Sequence, residues 1–295
     1  MREEHTHRHT QGPRAAPAPT AYPRVHRRRR PPGETVTGHG ERGEQTRGAR
    51  WSLIVPVKHL ARAKSRLARA AGPCRAELAL AIACDTVAAA LECAAVERVL
   101  AVTGDPRAGA ALESLGAYVV AGEPGTGLNP ALEHGEAAAG PLTAGAGLCA
   151  LSADLPALRP TELAAALEAA QRYGRSFLAD SPGVGTTLLA ATAGSRLRPA
   201  FEGASRARHL RSGARELLVA GVGSVRRDVD TPQDLRSARE LGVGPRTERL
   251  LEGMEGHLRP GAHKPGHNCA RVPSWGDPGG GSPSPLSGET TSCPR

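Results

Sequence analysis

Apolar residues in the middle of this chain fall into short unbroken runs, separated by stretches with helical spacing. The first run, Ser52-Leu53-Ile54-Val55-Pro56-Val57, is of the kind that forms a strand buried on both faces. Downstream, Leu80, Cys84, Val87 and Leu91 recur at i, i+4, i+7 and i+11, which places them on one face of a helix of about 20 residues. Arg98 to Thr103 predicts a second strand, Pro106 to Leu115 a second helix, and Ala117 to Ala121 a third strand. A helix from about Asn129 to Ala139 then leads to Gly147-Leu148-Cys149-Ala150-Leu151-Ser152, the most uniformly apolar run and therefore the expected centre of the sheet. Pro160 suits a first helical turn, where its missing N–H is not needed, and Leu163, Leu167 and Ala170 follow on one face. Ser176 to Ala179, Thr186 to Ala191, Leu217 to Ala220 and Val225 to Val229 read as further strands. Thr231-Pro232-Gln233-Asp234 has the form of a capped helix start, with Gly242 as its stop.

This alternation predicts an α/β fold with a largely parallel sheet, helices on both faces, and ligands at the carboxyl ends of the strands. Composition confines the fold to one domain, residues 51–245. Residues 1–50 carry the Arg27 to Arg30 run, many Pro and Gly and almost no apolar side chains, so ordering them would cost entropy without burying a core. Residues 246–295, with their Gly279 to Gly281 run, read similarly, and both segments are expected to be disordered tails. The net charge of +9 belongs mostly to the first tail. Without interleaved aromatics or a folded reader, that charge does not make a nucleic-acid-binding protein, and His5, His7 and His9 there read as solvated rather than metal-binding. No stretch is long and apolar enough for a membrane span or a signal core, so a cytoplasmic location is expected. The six cysteines show no zinc-like spacing; free thiols are expected, with Cys84 and Cys149 as small core residues.

Candidate chemistry lies in three loops. After the first strand, Lys58, Arg62, Lys64 and Arg66 place four cations within nine positions, where a loop entering a helix can cradle a phosphate. The glycines of a nucleotide P-loop or of a dinucleotide fingerprint are absent. Asp154 follows the most apolar strand directly, in Ser152-Ala153-Asp154-Leu155-Pro156. Asp228 and Asp230 close the Val225 to Val229 run, where strand alternation would point both to one side. Asp154 could instead cap a turn, and Asp230 a helix. Together, three carboxylates on two strand ends opposite a basic loop suit a nucleoside triphosphate with Mg²⁺, which favours one or two protein carboxylates plus phosphate and water.

Several segments then resemble, in order, the guanylyltransferases that make the phospholactyl arm of deazaflavin coenzyme F-420. They are Ile54-Val55-Pro56-Val57-Lys58, Lys64-Ser65-Arg66-Leu67, Leu128-Asn129, Asp154-Leu155-Pro156, Ser205 to His209 and Asp228-Val229-Asp230-Thr231-Pro232, spread over residues 51–245. The resemblance implies a Rossmann-like three-layer nucleotidyltransferase fold and transfer of GMP from GTP to a three-carbon phosphoester, with release of pyrophosphate. The product would pass to the next transferase of the pathway. The acceptor is phosphoenolpyruvate in one branch and 2-phospholactate in the other; the Ala, Arg and Gly content and the Leu241 to Pro245 close favour phosphoenolpyruvate. Carried over by position, the resemblance implies Asp154 and Lys58 at the catalytic centre and Asp154, Asp228 and Asp230 on Mg²⁺. It places Lys64 and Arg66 on the triphosphate, Asn129 on the nucleotide, and Thr186, Glu202 and Ser205 on the acceptor. The family's Phe-Gly-Pro-x-Ser loop here reads Phe201-Glu202-Gly203-Ala204-Ser205, which sets a carboxylate beside an anionic acceptor. The Gly-Gly-x-x-x-Arg-Met loop of transferases acting on sugar phosphates or molybdopterin is absent. An inactive α/β binding module is the alternative from another class, against which the three aspartates speak.

Overall fold

The computed structural model describes residues 50–140 and 145–258. The expectations for residues 1–49 and 259–295 lie outside these. Seven strands form one sheet in the order β3-β2-β1-β4-β6-β5-β7. They are β1 (Trp51–Pro56), β2 (Val96–Val102), β3 (Tyr118–Val120), β4 (Gly147–Leu151), β5 (Arg175–Ala179), β6 (Thr186–Ala191) and β7 (Arg215–Glu216). Only β6 runs against its neighbours, β4 and β5; the other pairings are parallel. Strand β4 is central, as its unbroken apolar run requires.

Alternation along the strands feeds two cores. Leu53, Val55, Cys149, Leu151 and Leu178 point to one side of the sheet, and Ile54, Ala150, Phe177 and Leu189 to the other. The first side is covered by α2 (Arg75–Glu92), which follows the short α1 (Ala68–Ala71), and by α3 (Pro106–Ser114) and α5 (Pro160–Ala170). The second is covered by α4 (Leu128–Ala139), through Ala131 and Leu132. On α4, Gly135 has to be glycine for packing reasons. A Cβ there would lie 2.5 Å from Ile54 Cγ2 and 2.8 Å from Val102 Cγ2. Alanine would gain about 1 kcal/mol in helix propensity, but overpacking this contact costs about 1–3 kcal/mol. Gly135→Ala is therefore expected to lower the urea unfolding midpoint, and a raised midpoint would show that the helix can back away from the sheet.

Three expectations are corrected. The Val225 to Val229 run is not a strand: Gly223–Arg226 forms a helical turn, α7, that buries Val225, and the chain beyond is irregular. Val225 and Val229 are four residues apart with Arg226, Arg227 and Asp228 between them, a spacing that puts them on one face of a helical turn as well as of a strand, so periodicity cannot separate the two. Leu217 to Ala220 is also not a strand; pairing stops at Glu216, and Leu218 is 88% exposed. Nor does the folded chain end at 245. After α6 (Ser205–Arg211) and α8 (Pro232–Leu241), which has the expected Thr231 capping box and Gly242 stop, α9 (Pro245–Leu258) packs back onto α2. Its Thr247 and Leu251 are buried, and Leu251 joins Leu78 and Ile82 of α2, Val229 and Ala238 in a third cluster. The apolar positions of α9 are few among charges, and they became a core only because α2 offers a second apolar face.

Cys84, Cys93 and Cys149 are free and buried, with burial pushing the Cys84 thiol up to about 11. Cys74 departs from the free-thiol expectation, being disulfide-bonded. Among the described residues no helix is long and apolar enough to cross a membrane.

Candidate active site

The carboxyl ends of β1, β4 and β5 and the start of β6 open on one cleft of about 370 Å³. Its wall includes Lys58 and Lys64 from the basic loop, Asp154 from the β4 end, Asp180 from the β5 end, and Thr186, Glu202, Ser205, Asp228 and Asp230. The site residues that the resemblance implied from scattered segments thus meet in one place, with two exceptions. Arg66 is exposed on the 3-10 turn Ser65–Leu67 and does not line the cleft. Asn129 does not line it either: its amide clamps the backbone of Phe201, accepting from Phe201 N at 2.8 Å and donating to Phe201 O at 3.2 Å. In this position Asn129 ties the first turn of α4 to the 201–205 loop.

The basic loop is held through its backbone by two residues that sequence reading passed over. Asp105 caps α3 through Arg107 N and Ala108 N and also accepts from Leu60 N at 2.9 Å. Although burial opposes it, these N–H donors and the neighbouring His59 hold its carboxyl below the usual range. Arg75 donates to the carbonyls of Leu60, Ala61 and Ala63. The loop is thereby pinned by an acid on its N–H side and a guanidinium on its C=O side. At its end Lys64 adopts the left-handed conformation, φ 53°, which costs a non-glycine residue roughly 1–2 kcal/mol.

That strain is sustained by ion pairs. Lys64 Nζ lies 2.6 Å from Asp154 Oδ2 and 3.1 Å from Asp230 Oδ1. Burial acts to deprotonate this ammonium, but the two carboxylates more than reverse the effect, so it stays charged. Asp228 stands beside them, its carboxyl pushed up to about 7 by burial first and then by Asp154, Asp180 and Asp230. Val229 N donates to Asp154 O at 3.0 Å, so the irregular segment carrying Asp228 and Asp230 is laced directly to the end of β4. Backbone lacing, rather than strand alternation, brings the acids together.

Asp180 is a fourth carboxylate that the sequence signalled in the same way as Asp154, by directly following an apolar strand. It accepts from Val184 N at 2.8 Å and Gly185 N at 2.7 Å, closing the turn that leads into Thr186. A side chain at Gly185 would collide with it. Thr186 and Ser205 are both buried and line the cleft, while Glu202 is exposed on the loop between them. Glu202 sits at φ 79°, a conformation suited to the glycine of the related motif. Its Oε1 turns toward the first turn of α4, 3.4 Å from Leu128 N.

Does this donor set fit a divalent cation? No three acidic, histidine or cysteine side chains among the described residues converge as a ready-made metal site. Asp154 and Asp230, however, already flank one positive group, the Lys64 ammonium, and the crowding that raises Asp228 marks a shortage of positive charge. Two carboxylates suit Mg²⁺, whose remaining positions take phosphate oxygens and water. The residues fit.

The family model of the MobA-like NTP transferase domain matches residues 75–222. A phosphoenolpyruvate guanylyltransferase of Thermomonospora curvata is 59% identical over 212 residues, spanning 72% of this chain and 92% of that protein. One of Streptomyces avermitilis is 60% identical over 212 residues, 70% of this chain and 98% of that protein. A crystal structure from Desulfovibrio desulfuricans, named for a nucleotide-diphospho-sugar transferase, matches in fold with a TM-score of 0.53 at 18% identity, covering 70% of this chain and 95% of that one. With a cleft at the carboxyl edge of a mostly parallel sheet and this degree of identity over nearly the whole length of these relatives, the chain belongs to the phosphoenolpyruvate guanylyltransferase family of MobA-like nucleotidyltransferases.

Proposed function

We propose that this protein transfers GMP from GTP to phosphoenolpyruvate, in the cytoplasm, as a step of coenzyme F-420 biosynthesis whose product goes to the next transferase of that pathway. The observation that carries the reading is the make-up of the cleft. Lys58 and Lys64 line it together with the carboxylates of Asp154, Asp228 and Asp230 and the buried hydroxyls of Thr186 and Ser205. In the reaction a phosphate oxygen of the acceptor attacks the α-phosphorus of GTP, the bond to the β-phosphate breaks, and pyrophosphate leaves. The acceptor supplies its own nucleophile, so the protein needs none and acts by position and charge. Bound at Asp154 and Asp230 with Asp228 close by, Mg²⁺ would offset charge on the triphosphate and the departing pyrophosphate. Lys58, exposed at the cleft mouth, offers its ammonium to the leaving phosphates. The clamp of Asn129 on Phe201 fixes the acceptor loop against α4.

Pyrophosphate release from GTP with each candidate acceptor, coupled to the next transferase and its deazaflavin substrate, tests the reading. Release with phosphoenolpyruvate is expected to be faster than with 2-phospholactate at equal subsaturating concentrations. The two acceptors differ at one carbon, planar or tetrahedral, so a pocket separates them by about 1–3 kcal/mol. The reverse order would move the chain to the other branch. Glu202 bears on the same pocket. Its carboxylate repels an anionic acceptor by about 1 kcal/mol in a solvated cleft, so Glu202→Gly should lower the acceptor KM by about 5-fold, more at low salt than at high. An unchanged KM at low salt would show that the start of α4 holds the carboxylate away from the acceptor.

A further inference from the structure

Behind the part of the cleft wall formed by Thr186 and Phe201, a fully buried histidine touches both residues without lining the cleft itself. His209 of α6 lies between the chain's two phenylalanines, 5.5 Å from the Phe177 ring and 5.1 Å from the Phe201 ring, centroid to centroid. Both ring nitrogens are engaged. Ala200 N donates to Nε2 at 3.1 Å, and Nδ1 lies 2.9 Å from Thr186 Oγ1. A nitrogen that accepts a hydrogen bond carries no proton, so in the neutral ring the proton is on Nδ1 and is donated to the Thr186 hydroxyl. Burial, then the charges of Arg175 and Arg208, hold the ring's pKa down at about 4, which keeps it neutral.

We propose that His209 is a positioning residue that makes Thr186 a committed hydrogen-bond donor toward the anionic acceptor. With Nδ1–H donating to it, the Thr186 oxygen cannot return its own proton to the ring. His209 is the one hydrogen-bond partner of this hydroxyl among the described residues. Its O–H is thus left for the cleft, and accepting the bond from His209 polarises it into a stronger donor. The backbone side of the same residue is fixed separately by Asp180, which closes the Val184–Gly185 turn. Phe201 links this device to the acceptor loop, since it packs on His209 while its backbone is clamped by Asn129. This inference rests on the reading of Thr186 as an acceptor-binding residue.

Two substitutions divide the ring's functions. His209→Asn can place an amide N–H near the position of Nδ1 and keep the donor to Thr186. His209→Gln can place its carbonyl near the position of Nε2, keeping the acceptor for Ala200 but losing that donor. His209→Gln is expected to raise the acceptor KM by about 10-fold or more, the cost of weakening a hydrogen bond to a charged group, with the GTP KM within about twofold. His209→Asn should raise the acceptor KM by less than about threefold. In a Thr186→Val background, His209→Gln should add nothing to the acceptor KM. Equal losses in both KM values, or an undiminished effect of His209→Gln in the Thr186→Val background, would reduce His209 to a structural role and overturn the proposal. The cycle is read on whichever phosphoester the wild-type protein accepts. A wrong acceptor then appears in the wild-type rates, and a wrong role for His209 appears only in the variants. Independently of turnover or folding of the variants, two-bond ¹H–¹⁵N spectra of the wild-type protein at neutral pH should show His209 protonated on Nδ1 and bare on Nε2. The opposite tautomer would overturn the proposal.

Discussion

Asp154→Asn is expected to lower kcat at least about 100-fold, a loss of roughly 2.7 kcal/mol in transition-state stabilisation. The side chain of Asp154 bonds Lys64 at 2.6 Å and faces the cleft, while its carbonyl receives Val229 N and so anchors the segment bearing Asp228 and Asp230. Asparagine preserves the shape and the backbone lacing and removes the charge. The substitution therefore isolates electrostatics, the factor on which a reaction without a protein nucleophile depends most. Asp230→Asn should act in the same direction and by a similar factor, because Asp230 shares the same Lys64 ammonium from the other side at 3.1 Å. Steady-state pyrophosphate release with Mg²⁺ varied, and thermal unfolding as a control on the fold, are the measurements. A variant within about threefold of wild-type kcat that still required a divalent cation would remove that aspartate from the metal site.

Asp85→Ala should destabilise the fold by about 3 kcal/mol, enough to make the C-terminal helix accessible to protease at temperatures where the wild type resists. Asp85 lies within α2, its side chain 1% exposed, and accepts from Thr247 N at 2.7 Å and Arg246 N at 3.2 Å at the start of α9. Arg246 Nη1 approaches it at 3.5 Å. Alanine would leave two helix-start donors, one of them deeply buried, without their acceptor. Lost caps cost about 1 kcal/mol when solvent can substitute, and more when it cannot. A side chain at Gly244 would collide with Asp85, which shows how closely the approach of α9 is fitted to this carboxylate. Truncation after residue 245 should expose Leu78 and Ile82 and lower stability further. Urea titration with limited proteolysis tests both changes, and an unaltered midpoint in Asp85→Ala would mean that α9 is held by its apolar contacts alone.

Local pattern along the chain was enough for the elements whose surroundings are supplied by the sheet. Strands β1, β2, β4 and β6 announce themselves by short apolar stretches at residues 53–55, 99–102, 148–151 and 188–191 because both of their faces are covered, and such a stretch needs no partner to be read. Helices α3, α5 and α8 carry their own start signals in Asp105-Pro106, Arg159-Pro160 and Thr231-Pro232. Asp154 could be placed at the ligand edge because it follows the central strand directly, and the same rule would have delivered Asp180. What remained hidden depends on contacts between residues far apart. Val225 to Val229 is short enough to satisfy strand and helical turn alike, and only the packing of Val225 and Val229 against different clusters decides it. Helix α9 is sparse in apolar residues, so its burial depends on the second apolar face of α2 and on Asp85, 162 residues before Thr247. The orientation of the Thr186 hydroxyl depends on His209, 23 residues later and on another element. Backbone preference and hydrophobic period are properties of a segment and are written in it. Buried charge, hydrogen-bond direction and the choice of covering helix are properties of pairs, and those exist only once the chain has closed on itself.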